Sequence, residues 1–165
     1  IIEDFKRPDK ALVEKFRNVA VANLDDCMNR ISAVHEDIRP VNKGKLLGPA
    51  FTVKVPSGDN LMFHAAMDLA KPGDGPYKNG PGEINTPIVC GGRLVNPGYI
   101  VIGDEDGVIF VNPSDAPELL EKVNKLHENE IRIINTIEKD GTYIRPWVNE
   151  KLESLEVERI NYVEY

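Results

Sequence analysis

Cysteine, long apolar runs and excess positive charge are all scarce in this 165-residue sequence. Its two cysteines, Cys27 and Cys90, have neither CxxC nor Cys/His spacing, which excludes a disulfide-stapled scaffold and a zinc site built on cysteine pairs. No run approaches the ~18 apolar residues that a membrane-spanning helix needs, and the charged opening residues predict no signal peptide. The net charge of −7 is opposite to that of typical nucleic-acid binders. We therefore expect a cytoplasmic protein that binds neither membranes nor nucleic acid.

Two helices are predicted near the beginning of the sequence. Apolar residues recur at helical spacing over residues 10–19, and Asp9 stands where a side-chain oxygen can cap the first free backbone N–H groups. A second, shorter helix is predicted over residues 22–31, with Asn23 as its cap. Both predictions rest on local capping and periodicity.

Two further helices are predicted later in the sequence. One covers residues 59–70 and begins at Asp59 or Asn60, either of which can cap it. The other is the longest element of the sequence, running over about residues 114–140 and closed by Gly141.

The strand pattern is clearest in two places. Residues 46–55 are predicted to form one half-buried strand, because Phe51, Val53 and Val55 alternate with more polar positions. Residues 95–112 read as two almost continuously apolar strands joined by a tight acidic turn, which predicts a buried hairpin. The composition, with these helices and strands, is that of an α/β or an α+β protein.

The long helix and the tail after it carry two unusual features. Glu130 lies on the helix's apolar stripe, where it either pairs with a Lys or Arg at the stripe's edge or lines a site at a subunit interface. The tail, residues 142–165, contains the only Trp and three of the five Tyr. A tail this aromatic is expected to pack on another surface, so residues 114–165 are expected to contribute to an intersubunit contact.

The stretch "AKPGDGPYKNGPGE", residues 70–83, interrupts the pattern. A "KPGD" turn after a helix should lead into a strand, yet the residues from Gly75 onward are too rich in Gly and Pro to form one. A helix without the following strand leaves its apolar face short of a partner. A βαβ excursion of roughly 30 residues or more would fit between Asp74 and Gly75.

Three stretches resemble one known family. "VKVPSGDNLMFHAAMDLAKPGD", "GPGEINTPIVCGGRLVNPGYIVIGDEDGVIFV" and the start of the long helix are similar to the RraA-like family, and "NLDDCMNR" is similar to its N-terminal helix. This family includes the 4-hydroxy-4-methyl-2-oxoglutarate/4-carboxy-4-hydroxy-2-oxoadipate aldolases and the regulators of ribonuclease E activity. The resemblance implies one domain over residues 1–165 with a swivelling β/β/α fold, assembled as a trimer or hexamer.

The resemblance also implies a chemistry. In the aldolase branch, a divalent cation such as Mg²⁺ or Mn²⁺ supports cleavage of a 4-hydroxy-2-oxo acid to pyruvate, and oxaloacetate decarboxylation is a related activity. The family's Gly-rich loop and Arg, which hold the carboxylate of the substrate, and its Asp, which holds the metal, belong to the excursion that this sequence lacks after Asp74. No metal ligand is therefore assignable. Glu130 is the implied catalytic residue, and Asp59 and Asn60 are the implied substrate-binding residues, with helix capping as their alternative role.

Two questions stay open at this point. The excursion is either a true deletion or a part of the protein that the sequence omits; the absence of a starting Met and the cost of a half-built core favour the second. The function is either that of the metal-dependent lyase or that of a non-catalytic interaction regulator or inactive scaffold. The long C-terminal helix and tail favour the aldolase branch.

Overall fold

The structure, a computed structural model, describes residues 1–39, 44–55, 61–70, 82–143 and 145–158, and of residues 61–63 only the backbone. These residues form five helices and seven short strands. In chain order they are α1 Lys10–Glu14, α2 Val21–Cys27, β1 Leu46–Pro49, β2 Val53–Lys54, α3 Leu61–Leu69, β3 Glu83–Ile84, β4 Ile88–Cys90, β5 Arg93–Val95, β6 Ile100–Asp104, β7 Gly107–Val111, α4 Ala116–Asp140 and α5 Pro146–Ser154. The predicted mixed α/β class with a long C-terminal helix is confirmed.

The described strands form three antiparallel sheets. The largest has the order β1-β6-β7, and the predicted hairpin β6–β7 is confirmed, with Asp104 opposite Gly107 at its turn. β2 pairs with β3, and β4 pairs with β5. The β4–β5 turn is Gly91-Gly92, and both glycines have positive φ. The turn also needs a glycine for space, because an added Cβ on Gly91 would lie 2.6 Å from Cβ of Val34.

The chain forms two compact units, Ile1–Leu126 and His127–Tyr165, with the boundary inside α4. The main core belongs to the first unit. One face of β6–β7, with Ile100, Ile102, Ile109 and Val111, is buried against side chains of the helices. The helices contribute Val13, Val21, Leu24, Ala116, Leu119, Leu120 and Val123 to this core, and Phe16 joins it from the turn after α1.

A second, smaller core holds the β2–β3 ribbon and α3 together. Its buried members are Phe51, Ala66 and Ile84. Phe5 of the N-terminal segment packs against it, with its ring 5.9 Å from that of Phe51 in an edge-to-face arrangement. The segment is also held by the N–H of Ile2, which donates to the carbonyl of Ile84 over 3.1 Å.

Three predicted elements differ from the structure. The helix expected over residues 22–31 is shorter and covers Val21–Cys27. The helix expected over residues 10–19 ends at Glu14, because the next turns make i to i−3 hydrogen bonds, such as that from Phe16 N–H to Val13 O. The strand expected over residues 46–55 is two strands in different sheets. Pro49 has no N–H for a ladder, and the consecutive residues Ala50, Phe51 and Thr52 are all buried, so the alternation that predicted one strand is broken here.

The capping predictions have mixed outcomes. Asp9 caps α1 as predicted, with its Oδ1 accepting from Ala11 N–H over 2.7 Å. Asn23 as a cap is wrong, since α2 begins at Val21 and contains Asn23. Gly141 closes α4 as predicted, with φ of +69° and its N–H donating to Ile137 O. The start of α3 is described only from Leu61, so the predicted caps Asp59 and Asn60 lie outside the described residues.

Candidate functional site

The predicted catalytic residue, Glu130, lies on the part of α4 that belongs to the second unit. Its side chain is 42% exposed, and its Oε2 is 3.6 Å from Nδ1 of His127. Glu130 thus lies beside a histidine one turn away, and the Lys or Arg partner that the sequence suggested stays a prediction. Such a pair is a weak surface interaction at best. The predicted substrate-binding residues Asp59 and Asn60 lie outside the described residues, so the roles of all three stay predictions.

The described residues do not fit a divalent cation. Within residues 1–39, 44–55, 61–70, 82–143 and 145–158 there is no group of three or more His, Cys, Asp or Glu side chains that could hold one. Cys27 is a poor metal ligand as well. Burial raises the pKa of its thiol, and the neighbouring carboxylate of Asp26 raises it further. The thiolate that a metal prefers is therefore disfavoured at that position.

The acidic "DEDG" turn of the hairpin has a structural role that the sequence did not predict. Oδ2 of Asp104 accepts a hydrogen bond from the N–H of Val21 over 2.9 Å, and its Oδ1 accepts from the N–H of Asp106 over 3.0 Å. Val21 is the first residue of α2, whose N-cap Ala20 has no side-chain cap of its own. Asp104 therefore caps α2 from a distant strand and ties the hairpin turn to that helix.

Replacing Asp104 with alanine is expected to lower the free energy of unfolding by about 1–2 kcal/mol, because it removes the cap of α2. Urea denaturation followed by circular dichroism measures the change. The neighbouring Glu105→Ala is the control, since Glu105 is exposed and should cost less than about 0.5 kcal/mol. Equal effects of the two substitutions would contradict the capping role.

Asn85 is an unusual residue that sequence reasoning missed. Its backbone is left-handed, with φ of +55°, and its side chain is 3% exposed. Its N–H donates to Thr52 O and its Nδ2 to Ile2 O, each over 2.8 Å, but its buried Oδ1 has no hydrogen-bond partner among the described residues. Strained residues and unsatisfied buried atoms often mark functional positions. A single asparagine in a loop gives no periodic signal by which it could have been found.

An apolar cavity of about 230 Å³ lies against the other face of the β6–β7 hairpin. Val101 and Phe110, which are paired across the hairpin, line it together with Ile88, Cys90 and Val95 of the β4–β5 hairpin and residues 46 and 48–52. No charged side chain is among the described residues that line it. An anionic 2-oxo acid needs cationic or N–H donors, so this cavity suits apolar groups and not such a substrate.

No helix among the described residues has both the length and the apolar character to span a membrane.

Comparisons with known proteins place these features in context. The model of the RraA-like family, described as Aldolase/RraA, matches residues 21–75 and 74–110, together more than half of the chain. A relative from Halalkalibacterium halodurans, named "Putative 4-hydroxy-4-methyl-2-oxoglutarate aldolase", is 26% identical over 172 positions that include 68% of this chain and 82% of the relative. Because 68% of a 165-residue chain is fewer than 172 residues, part of the relative has no counterpart here.

Two solved structures share the fold. Streptomyces coelicolor RraAS2, titled an unusual member of the RNase ES inhibitor RraA protein family, has a TM-score of 0.63 at 17% identity and covers 77% of this chain and 97% of its own. A protein of Pseudomonas syringae has a TM-score of 0.60 at 18% identity, covering 86% of this chain and 95% of its own. With the family model matching over half of its length, the chain belongs to the RraA-like family.

Proposed function

We propose that this protein belongs to the aldolase branch of the family and that its reaction is the cleavage of a 4-hydroxy-2-oxo acid with release of pyruvate. The observation that carries the proposal is the alignment with the Halalkalibacterium relative named as a putative aldolase, which runs through 82% of that protein. The proposal includes a condition: the reaction depends on a central segment that belongs between Asp74 and Gly75.

The position of the central segment is supported by the family match. That match consists of two pieces, residues 21–75 and residues 74–110, which meet at the junction where the sequence pattern is interrupted. The relative's alignment is also longer than the part of this chain that it includes. We propose that the stretch of the relative without a counterpart is the central segment and that it carries the substrate-gripping and cation-holding groups.

The reaction needs a base and a site for a divalent cation, and the described residues do not bring the two together. A base takes the proton of the substrate's 4-hydroxyl group, the bond between C3 and C4 breaks, and its electron pair moves toward the 2-oxo oxygen; protonation at C3 then gives pyruvate. Glu130 is our candidate for the base, since its carboxylate is half-exposed and so accessible to a substrate. No described cluster can hold the Mg²⁺ or Mn²⁺ that the proposal includes, so we assign no step through a metal to these residues.

The proposal extends to assembly as a homo-oligomer, a trimer or hexamer, in the cytoplasm. The proposed oligomer is supported by apolar side chains that are exposed in the second unit. These are Ile131, Ile134, Ile137, Trp147, Leu155 and Val157. Light scattering measures the mass of the assembly, to be compared with the 18.4 kDa of one protomer. A protein that is entirely monomeric at micromolar concentration would contradict the proposed oligomer.

The test compares two proteins: the chain as it stands, and the same chain with the relative's central segment inserted between Asp74 and Gly75. We expect the second to release pyruvate from 4-hydroxy-4-methyl-2-oxoglutarate in the presence of Mg²⁺, to lose this activity with EDTA, and to be impaired by Glu130→Gln. The chain as it stands should release none. A scrambled segment of equal length is the control. A folded inserted chain without activity would contradict the proposal.

A second candidate is a non-catalytic binding role, which the β4–β5 hairpin favours. Val89 and Leu94 are paired across this hairpin on one face and are 72% and 61% exposed. Adjacent exposed apolar side chains are a common feature of protein-binding surfaces. A folded inserted chain that releases no pyruvate would shift the assignment to this role.

A further inference from the structure

We propose that the apolar cavity beside the β6–β7 hairpin is a binding site for a small uncharged molecule of mainly hydrocarbon character, about the size of one substituted aromatic ring. The site is independent of the proposed reaction, since it uses neither Glu130 nor the central segment. Three features support this assignment: the volume of the cavity, the pairing of its polar groups and the contacts that hold its walls.

The volume of the cavity is larger than the packing defects of protein interiors. Voids in a close-packed interior are seldom larger than a water molecule, whose share of liquid volume is about 30 Å³. The cavity measures about 230 Å³, and it is partly open to solvent, so that a ligand can enter. An engineered apolar cavity of about 150 Å³ in another protein binds benzene. The present volume therefore accommodates an aromatic ring with a short substituent.

The polar groups around the cavity offer little to a polar ligand. The hydroxyl of Thr52, which is 2% exposed, donates to Thr86 O over 2.7 Å. The N–H of Ala50 donates to Tyr99 O, and Cys90 adds only a thiol, which is a weak hydrogen-bond donor. A charged ligand would lose its hydration here without compensation from the described residues. The cavity therefore favours uncharged, apolar molecules.

Hydrogen bonds hold both walls of the cavity, which indicates a preformed site. One wall is the three-stranded sheet of β1, β6 and β7. The other is the β4–β5 hairpin, whose turn is held at two points. The N–H of His35 donates to Gly91 O over 2.8 Å, and Nε of Arg93 donates to Ala33 O over 2.9 Å. A preformed site avoids the entropic cost of ordering its walls when a ligand binds.

The test uses toluene as the probe and benzoate as its charged counterpart of similar shape. Isothermal titration calorimetry on the purified chain should show saturable binding of one toluene per chain. Benzoate should bind about tenfold more weakly or worse, because its carboxylate would be buried without a partner. Absence of saturable toluene binding, or equal affinities for the two compounds, would overturn the proposal.

Val101→Phe places a larger side chain in the cavity and should weaken toluene binding by about tenfold or more, because a filled interior leaves no room for the ring. Val89→Phe is the matched control. It is the same change at a residue that is 72% exposed and does not line the cavity, so it should leave the affinity unchanged. Equal effects of the two substitutions would refute binding at this site.

Alkylation of Cys90 gives a second readout that needs no substitution in the cavity, should Val101→Phe not fold. In a Cys27→Ala chain, Cys90 is the remaining cysteine. Saturating toluene should slow its reaction with iodoacetamide severalfold, and benzoate at the same concentration should not. An unchanged rate with toluene would overturn the proposal. An affinity for toluene that falls as the protein concentration rises would also overturn it, because a second copy of the chain would then fill the cavity.

Discussion

Replacing Phe16 with alanine is expected to lower the free energy of unfolding by about 3–5 kcal/mol. Phe16 is 1% exposed and belongs to the main core, where the helices cover the β6–β7 hairpin. The substitution leaves a cavity that the surrounding side chains cannot fill completely. Since a domain is stable by only about 5–15 kcal/mol, a large share of the stability is lost.

Urea denaturation followed by circular dichroism measures this loss. Leu94→Ala is the control, because Leu94 is apolar and 61% exposed and should cost less than about 0.5 kcal/mol. If Phe16→Ala cost no more than Leu94→Ala, the described core would be wrong at this position.

The second large effect is expected from Gly98→Ala. Gly98 has φ of +84°, and an added Cβ would lie 2.5 Å from the carbonyl oxygen of Lys6. The clash is with backbone, so the N-terminal segment has to move, and its Phe5, which packs beside Gly98 on the second core, moves with it. We expect a loss of about 1–3 kcal/mol from backbone strain, with the displaced segment adding to it.

Gly92→Ala is the matched control for this experiment. Gly92 has a similar φ of +78° but nothing within 4 Å of an added Cβ. The difference between the two melting temperatures therefore measures the contact with the N-terminal segment. Equal melting temperatures would show that the segment does not pack there.

The parts of the fold that the sequence predicted well are those governed by local rules. Helix α4 has apolar residues repeated at helical spacing and is closed by Gly141. The β6–β7 hairpin has two apolar strands around an acidic turn. Neither needs a distant residue to define it. The predicted single strand over residues 46–55 failed because its two halves pair with different strands, β6 and β3. The start of α2 failed similarly, because its cap is Asp104, far away in sequence.

The candidate site was less predictable than the fold. Glu130 was chosen from its position on an apolar stripe, and the structure places it beside His127, with no group of His, Cys, Asp or Glu that could hold a metal among the described residues. Asp59 and Asn60 lie outside those residues. Asn85 could not be predicted, because an unpaired buried oxygen is a property of three-dimensional packing. The interruption at residues 74–75, inferred from the sequence as a turn without its strand, stays a prediction because residues 71–81 lie outside the described part of the chain.

The dependence of lyase chemistry on the central segment is tested most directly by one assay: the rate of Mg²⁺-dependent pyruvate formation by the purified 165-residue chain, beside its segment-bearing form at equal concentration. We predict a background rate for the former and an EDTA-sensitive rate well above background for the latter. A shorter chain that matches the longer one would mean that the reacting groups already reside in the present sequence.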